Sequence, residues 1–455
     1  DGVPLGNSEN SEFDVTTSLK SVSKWYGYID APQRTHEFIR RAFSMLRNGP
    51  PGPVIIAVPD ASAQYDETLD PYKTVKTWKS IPDPNDVSMA LETIVQAKDP
   101  ILYVGEGVLY SGGTDELLAF AELSNIPVVT TLKAKGAFPE DHPLSLGVRG
   151  KHTEHYILKS DVVISVGSSL SPGRFSHAIP DATNKKIIVC NINENHLNKI
   201  YPTTHALLGD AKLILKSLVT ELETKTSGVE ISSPNRIKEI QVERQKDDDI
   251  YSDALSSSNT PINPYRVYAD MMKVLDPKKS FVTHESGNTR DQLSTVYQTL
   301  IPRGFLGWGN VSSLGFSLPA AMAAKIAYPD RDSIAVTGEA GLGYMLGNLE
   351  VPIREKIGIT VLHISNGGFS GYGPGFWGEG HDPYTHKVLN YDSVDMSKVL
   401  KEMGLHTERI SEPKDIIPAI ERALIANRKG QPAYIEFLCI QYPVYGDWLS
   451  GSHGE

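Results

Sequence analysis

Short apolar runs recur along the chain, separated by stretches of one helix's length. Two of them stand close together within residues 333–368: I-A-V-T (334–337) and I-T-V-L-H-I (359–364). Neither alternates with polar positions, so each reads as a strand buried on both faces. The first ends at Gly338 and the second just before Asn366. The residues between them, ending in I-R-E-K, make up one helix. The stretch therefore reads as a βαβ unit with parallel strands and a right-handed crossover. Glu339 and Asn366 then fall at the carboxyl ends of neighbouring strands, where open α/β sheets bind ligands. Both offer oxygen ligands, and the adjoining glycines let a diphosphate approach the backbone. The pattern suits Mg²⁺ holding a diphosphate.

The same reading divides the rest of the chain. Residues 1–63 contain a loop, the amphipathic helix pattern P-Q-R-T-H-E-F-I-R-R-A-F-S-M-L-R, a Pro/Gly turn and the strand-like P-V-I-I-A-V. Residues 64–86 are rich in Pro, Asp and Lys and read as an extended linker. Residues 87–222 alternate helix and strand patterns, with P-I-L-Y-V, I-P-V-V-T-T, V-V-I-S-V-G and K-I-I-V-C-N-I-N as short buried strands. That predicts a central Rossmann-like domain with a parallel sheet. Residues 223–260 are polar and read as a second linker with one exposed helix. Residues 261–455 form the domain that holds the Glu339/Asn366 pair.

Composition narrows the class. Lys and Arg number 44 against 55 Asp and Glu, a net charge of −11, which argues against nucleic-acid or anionic-membrane binding. Cys190 and Cys439 are the two cysteines, both in apolar strand-like contexts. They read as buried free thiols of a reducing compartment, and so as a cytoplasmic protein. No apolar run approaches transmembrane length.

With these residues in view, the chain resembles thiamine-diphosphate-dependent enzymes of the acetolactate synthase or 2-hydroxyacyl-CoA lyase type. Such enzymes carry a G-D-G motif and, further on, N-N. Here Gly338-Glu339-Ala340 stands for the first and Ser365-Asn366 for the second. The acid and the asparagine are 27 positions apart, the usual spacing for that family. The resemblance implies an α/β fold of three domains with parallel sheets, the first represented only by its C-terminal part. It implies thiamine diphosphate and Mg²⁺ as cofactors. Glu339, the Asn366 side chain and the Gly368 carbonyl become the metal ligands, with Gly338, Ala340, Gly341 and Phe369 beside the diphosphate. Glu is one methylene longer than Asp, so the metal must sit further out or the loop must retreat.

Other segments extend the likeness. T-H-E-S-G-N-T-R-D-Q (283–292) reads as a strand end opening into a polar loop, where Asn288 and Thr289 can donate to phosphate oxygens. It is similar to the E-G-x-N-T loop of oxalyl-CoA decarboxylase and 2-hydroxyacyl-CoA lyase. G-N-V-S-S-L-G-F (309–316) matches the family's G-x-M-G turn. By that match Leu314 is the apolar wedge that bends the cofactor into a V, and the carbonyl near Ser312 accepts from its aminopyrimidine. Trp377, His381, Tyr384 and His386 fall in a glycine- and aromatic-rich run that could line a substrate pocket. V-V-T-T-L-K-A-K-G-A-F-P-E-D-H-P (128–143) looks like acetolactate synthase. Yet G-S-S-L-S-P-G-R-F (167–175), followed by Ser176-His177-Ala178, lacks the paired Asp and closing Arg of the family's FAD segment, which argues against FAD. The turn Gly105-Glu106-Gly107 reads as structural.

The resemblance also implies that the larger part of the pyrimidine-binding domain is not represented. With it would go the glutamate that activates the cofactor, whose context Glu9, Glu12 and Glu37 do not match. The expected function is carboligation or decarboxylation of a 2-oxo acid such as pyruvate, a transferase or lyase activity. The alternatives are C–C lysis of a 2-hydroxyacyl- or oxalyl-CoA, and a non-catalytic relative. In the family the cofactor lies between two subunits, so a homodimer or homotetramer is expected.

Overall fold

The apolar runs become strands, and the strands pair in parallel. The computed structural model describes residues 15–58, 66, 68, 71–173, 175–225, 233–308, 311–368 and 394–449. Among them three parallel sheets form. The first pairs β1 (Trp25–Tyr28) with β2 (Val54–Ala57), Trp25 opposite Val54. The helix Thr35–Arg47 connects them.

The second sheet holds β3 (Pro100–Val104), β4 (Val128–Thr130), β5 (Val162–Val166), β6 (Lys186–Asn191) and β7 (His205–Leu208), in the order β4-β3-β5-β6-β7. Every residue of β3 and β5 is buried, as unbroken apolar runs require when helices cover both faces. The third sheet holds β8 (Ser280–His284), β9 (Phe305–Leu306), β10 (Asp332–Thr337), β11 (Thr360–Ser365), β12 (His406–Ile410) and β13 (Ala433–Leu438). Its order is β12-β13-β11-β10-β8-β9. The strands expected at 334–337 and 359–364 are thus β10 and β11, and they are neighbours, Ile334 opposite Thr360. Two apolar clusters cover the faces of this sheet, one around Val282, Val336 and Ile435 and one around Ala335, Val361 and Tyr434.

Polar pins join the second and third sheets' domains. Arg149 donates to Asp291 at 2.7 Å. The buried Lys135–Glu140 pair is locked in place where Glu140 accepts the Thr299 amide at 2.6 Å. The segment after β13 then crosses both. Val444 accepts the Tyr265 hydroxyl at 2.6 Å, and Leu449 donates its amide to His177 Nδ1 at 3.0 Å.

The helix Arg236–Leu255 departs from expectation. Its charge-dominated sequence predicts an exposed helix. Instead it buries Arg236, Ile240, Asp247, Tyr251 and Ala254. Two of those charges are paired across long sequence distances: Arg236 with Asp99 at 2.9 Å, and Asp247 with His152. Buried charges need such partners, and the partners lie too far along the chain to be read from it. Among the described residues no helix is long and apolar enough to cross a membrane.

Three buried histidines make stability depend on pH. Burial pushes His177, His284 and His363 each down to about 3. His177 is held neutral by geometry, since Nδ1 accepts from Leu449 while Nε2 donates to the Val148 carbonyl. Depressed folded values mean stability that is fully present above about pH 6.5 and is lost as pH falls towards 3. Each group should cost about 2 kcal/mol by pH 5. The urea midpoint should therefore fall between pH 7 and pH 5. An unchanged midpoint would mean that these rings take up no proton on unfolding.

Candidate active site

The site is built where β10 and β11 end side by side. β10 ends at Thr337, Gly338 follows in extended conformation, and Glu339 opens the helix Glu339–Met345. After β11 the chain turns through Gly367 (φ 77°) and Gly368 (φ 144°). Left-handed backbone of this kind favours glycine, and it swings the turn's amides towards Glu339. Glu339 Oε1 accepts from Asn366 N at 2.6 Å and from Gly367 N at 2.8 Å. Burial pushes the Glu339 carboxyl up, and hydrogen bonds from the amides of Glu339, Asn366, Gly367 and Gly368 pull the other way. The extra methylene of Glu is taken up by this reach across to the β11 turn.

The residues present fit a magnesium diphosphate. A carboxylate has about four lone-pair sites; backbone amides of Glu339, Asn366, Gly367 and Gly368 now reach this one, so a cation would take the place of some of these donors. Glu339, the Asn366 amide oxygen and the Gly368 carbonyl would offer hard oxygens of the kind Mg²⁺ takes. A Cβ built on Gly338 meets nothing within 4 Å, so open space lies beside the motif. Ala340 and Gly341 follow Glu339 in the same helix. Phe369, Trp377, His381, Tyr384 and His386 lie outside the described residues.

The loop after β8 is shorter than expected. Only Glu285, Ser286 and Gly287 separate β8 from the helix Asn288–Val296, so Asn288 and Thr289 sit in a first helical turn. Thr289 is buried, and its hydroxyl donates to the Glu285 carbonyl at 3.0 Å. That bond takes up the proton expected to reach a phosphate.

Glu285 was not singled out from the sequence, and it organises the site. Its buried carboxylate accepts from Ser286 N at 3.1 Å, Phe316 N at 3.4 Å, Ser317 N at 3.2 Å and Ser317 Oγ at 2.9 Å. It therefore caps the helix Ser317–Ala327 and fixes the downstream end of the Ser312–Gly315 turn that carries Leu314. It also lies flush against Gly341, where an added Cβ would overlap the Glu285 side chain. Glycine is thus required in the motif helix by contact as well as by any ligand. One signal was available: an acid at the very end of an apolar strand, T-H-E-S-G.

A second concavity opens at the carboxyl ends of the central sheet. This cavity measures about 890 Å³, and its walls include Gly105, Gly107, Gly167, Ser168, Asn191 and Asp210. Gly105 and Gly107 pack against Gly167, leaving no space for side chains, so the glycine turn serves close backbone approach. Lys79 pairs with Asp210 and Lys133 with Glu106, all four in the cavity wall, and Arg47 adds positive charge. Residues 167–171 and Phe175, the stretch compared with the FAD segment, line the same cavity, and so do Trp308 and Val311 from the entry to the Leu314 turn.

Two domain models of the thiamine pyrophosphate enzymes together match most of the chain, and the chain belongs to that family. Residues 87–218 match the central domain of the thiamine pyrophosphate enzymes, and residues 285–437 match their C-terminal TPP-binding domain. This class forms or cleaves carbon–carbon bonds with thiamine diphosphate. The chain is 29% identical over 451 residues to a probable acetolactate synthase large subunit of Methanococcus aeolicus, spanning 92% of this chain and 73% of that one. It is 28% identical over 446 residues to a probable acetolactate synthase large subunit of Methanocaldococcus jannaschii, spanning 93% and 73%. It is also 24% identical over 430 residues to a glyoxylate carboligase of Escherichia coli O157:H7, spanning 90% and 71%.

Proposed function

We propose that the protein is a Mg²⁺- and thiamine-diphosphate-dependent carboligase acting on a 2-oxo acid such as pyruvate. The observation that carries this reading is the junction of Glu339, Asn366 and Gly367 at the ends of β10 and β11. Glu339, Asn366 and Gly368 would hold the metal. Leu314 would press the cofactor into its bent shape, and the carbonyl near Ser312 would accept from the aminopyrimidine. Thiamine diphosphate, when bound, supplies a carbon nucleophile and a ring that stabilises the resulting carbanion. The similarity to two acetolactate synthase large subunits and a glyoxylate carboligase supports carboligation over simple decarboxylation. The domain division at residues 63, 86, 222 and 260 is proposed with it, as is a cytoplasmic homodimer or homotetramer.

A second reading has its own support. The Glu285–Thr289 loop is similar to that of the CoA-thioester lyases, and Arg47 in the wall of the central cavity offers positive charge for a phosphate of a CoA. A substrate panel with added cofactor and Mg²⁺ separates the two. Acetolactate from pyruvate supports the first reading. Cleavage of oxalyl-CoA or a 2-hydroxyacyl-CoA without pyruvate turnover supports the second. No turnover of either by protein that includes the activating glutamate would end both.

FAD is not part of the proposal, because Ser176-His177-Ala178 follow Arg174-Phe175 in place of the paired aspartates and closing arginine. Purified protein should be colourless in the flavin region. A stoichiometric yellow cofactor would overturn this and assign the central cavity to it.

A further inference from the structure

The turn that carries Leu314 starts at a strained residue. Ser312 has φ 54°, a left-handed conformation that is costly for a residue with a Cβ. Something must hold it there, and two partners do. The Ser312 hydroxyl accepts from Arg290 Nη1 at 2.7 Å and shares a hydrogen bond of 2.6 Å with Ser286 Oγ.

Arg290 is itself immobilised on every side. Nε and Nη2 fork onto Asp291 at 3.1 and 2.8 Å. Asp291 is anchored in turn by Arg149. The guanidinium lies 3.5 Å from the centroid of the Phe175 ring. All three nitrogens are used, and the residue is only 3% exposed. A planar fork meets these demands together, which a lysine cannot do. A chain of contacts therefore runs from Arg149 in the central domain through Asp291 and Arg290 to the Leu314 turn. Glu285 fixes the far end of that turn, and Arg290 the near end.

We infer that Arg290 is a positioning residue that holds Ser312 in its left-handed conformation and so aims Leu314 and the Ser312 carbonyl at the cofactor's rings. The inference rests on the reading of Leu314 as the wedge. It makes Arg290 matter for the ring portion of the ligand and leaves the diphosphate portion to Glu339.

The test compares thiamine diphosphate with inorganic diphosphate, each with Mg²⁺, by calorimetry on the full chain. Arg290→Met, Ser312→Ala and the double variant are measured beside Arg290→Lys. Thiamine diphosphate should bind about tenfold more weakly to each single variant. The double variant should be no weaker than either, because both substitutions remove one interaction. Inorganic diphosphate should bind all of them as it binds the unaltered protein. Near-ultraviolet circular dichroism of the bound cofactor should change with them, and Arg290→Lys should restore little. Ser312→Ala leaves the guanidinium on Asp291 and carries the test if Arg290→Met does not fold. Equal thiamine diphosphate affinity in the variants, an equal loss for both ligands, or additive losses would each overturn the inference. Failure of the unaltered protein to prefer thiamine diphosphate over inorganic diphosphate would instead remove the wedge reading beneath it.

Discussion

Replacing Glu339 by glutamine should weaken binding of magnesium diphosphate at least tenfold, about 1.4 kcal/mol, and abolish turnover. Two effects act in the same direction. The substitution removes the negative charge from an oxygen shell that has only one carboxylate, and Mg²⁺ prefers charged hard oxygens. It also presents an amide NH₂ to a turn whose backbone donors, Asn366 N and Gly367 N, now meet a carboxylate. Glutamine can keep its oxygen on those amides only by turning its NH₂ towards the metal position. Calorimetric titration with thiamine diphosphate and Mg²⁺ reads the affinity directly. Unchanged binding would remove Glu339 from the metal shell.

Truncating Glu285 to alanine should destabilise the fold by about 3 kcal/mol, because buried donors lose their acceptor. The amides of Ser286, Phe316 and Ser317 all point at this one carboxylate. Without it the start of the helix Ser317–Ala327 would be uncapped. The void left against Gly341 adds to the loss. Urea unfolding at pH 7 measures the effect. A midpoint equal to that of the unaltered protein would show that water satisfies these amides and that Glu285 does not organise the turn.

The parts of the molecule legible in the sequence are those set by local pattern. The unbroken apolar runs at 334–337 and 359–364 have the length and context of buried strands, and they pair as neighbours. The helix between them fixes their parallel sense, so the meeting of Glu339 and Asn366 could be read without coordinates. The polar run after β8 predicts a longer loop than the three residues that form it. Asn288 and Thr289 are polar, and nothing local reveals that the Thr289 hydroxyl folds back onto Glu285.

What was not legible is mostly long-range pairing. Glu285 meets Phe316 and Ser317 some thirty positions on, Arg149 meets Asp291 across two domains, and Arg236 meets Asp99. Charged residues read as solvated unless their partners are known, which is why the helix Arg236–Leu255 looked exposed. The central cavity is similar: its glycines, serines and asparagines come from five separate segments, each unremarkable alone.

Diffraction from crystals grown with thiamine diphosphate and Mn²⁺ in place of Mg²⁺ tests the central claim most directly. Anomalous scattering locates the metal without assumption. The account predicts a single strong peak within bonding distance of the Glu339 carboxylate, the Asn366 side-chain oxygen and the Gly368 carbonyl, with diphosphate oxygens on its open side. A metal bound elsewhere, or a diphosphate that sits away from the ends of β10 and β11, would contradict it.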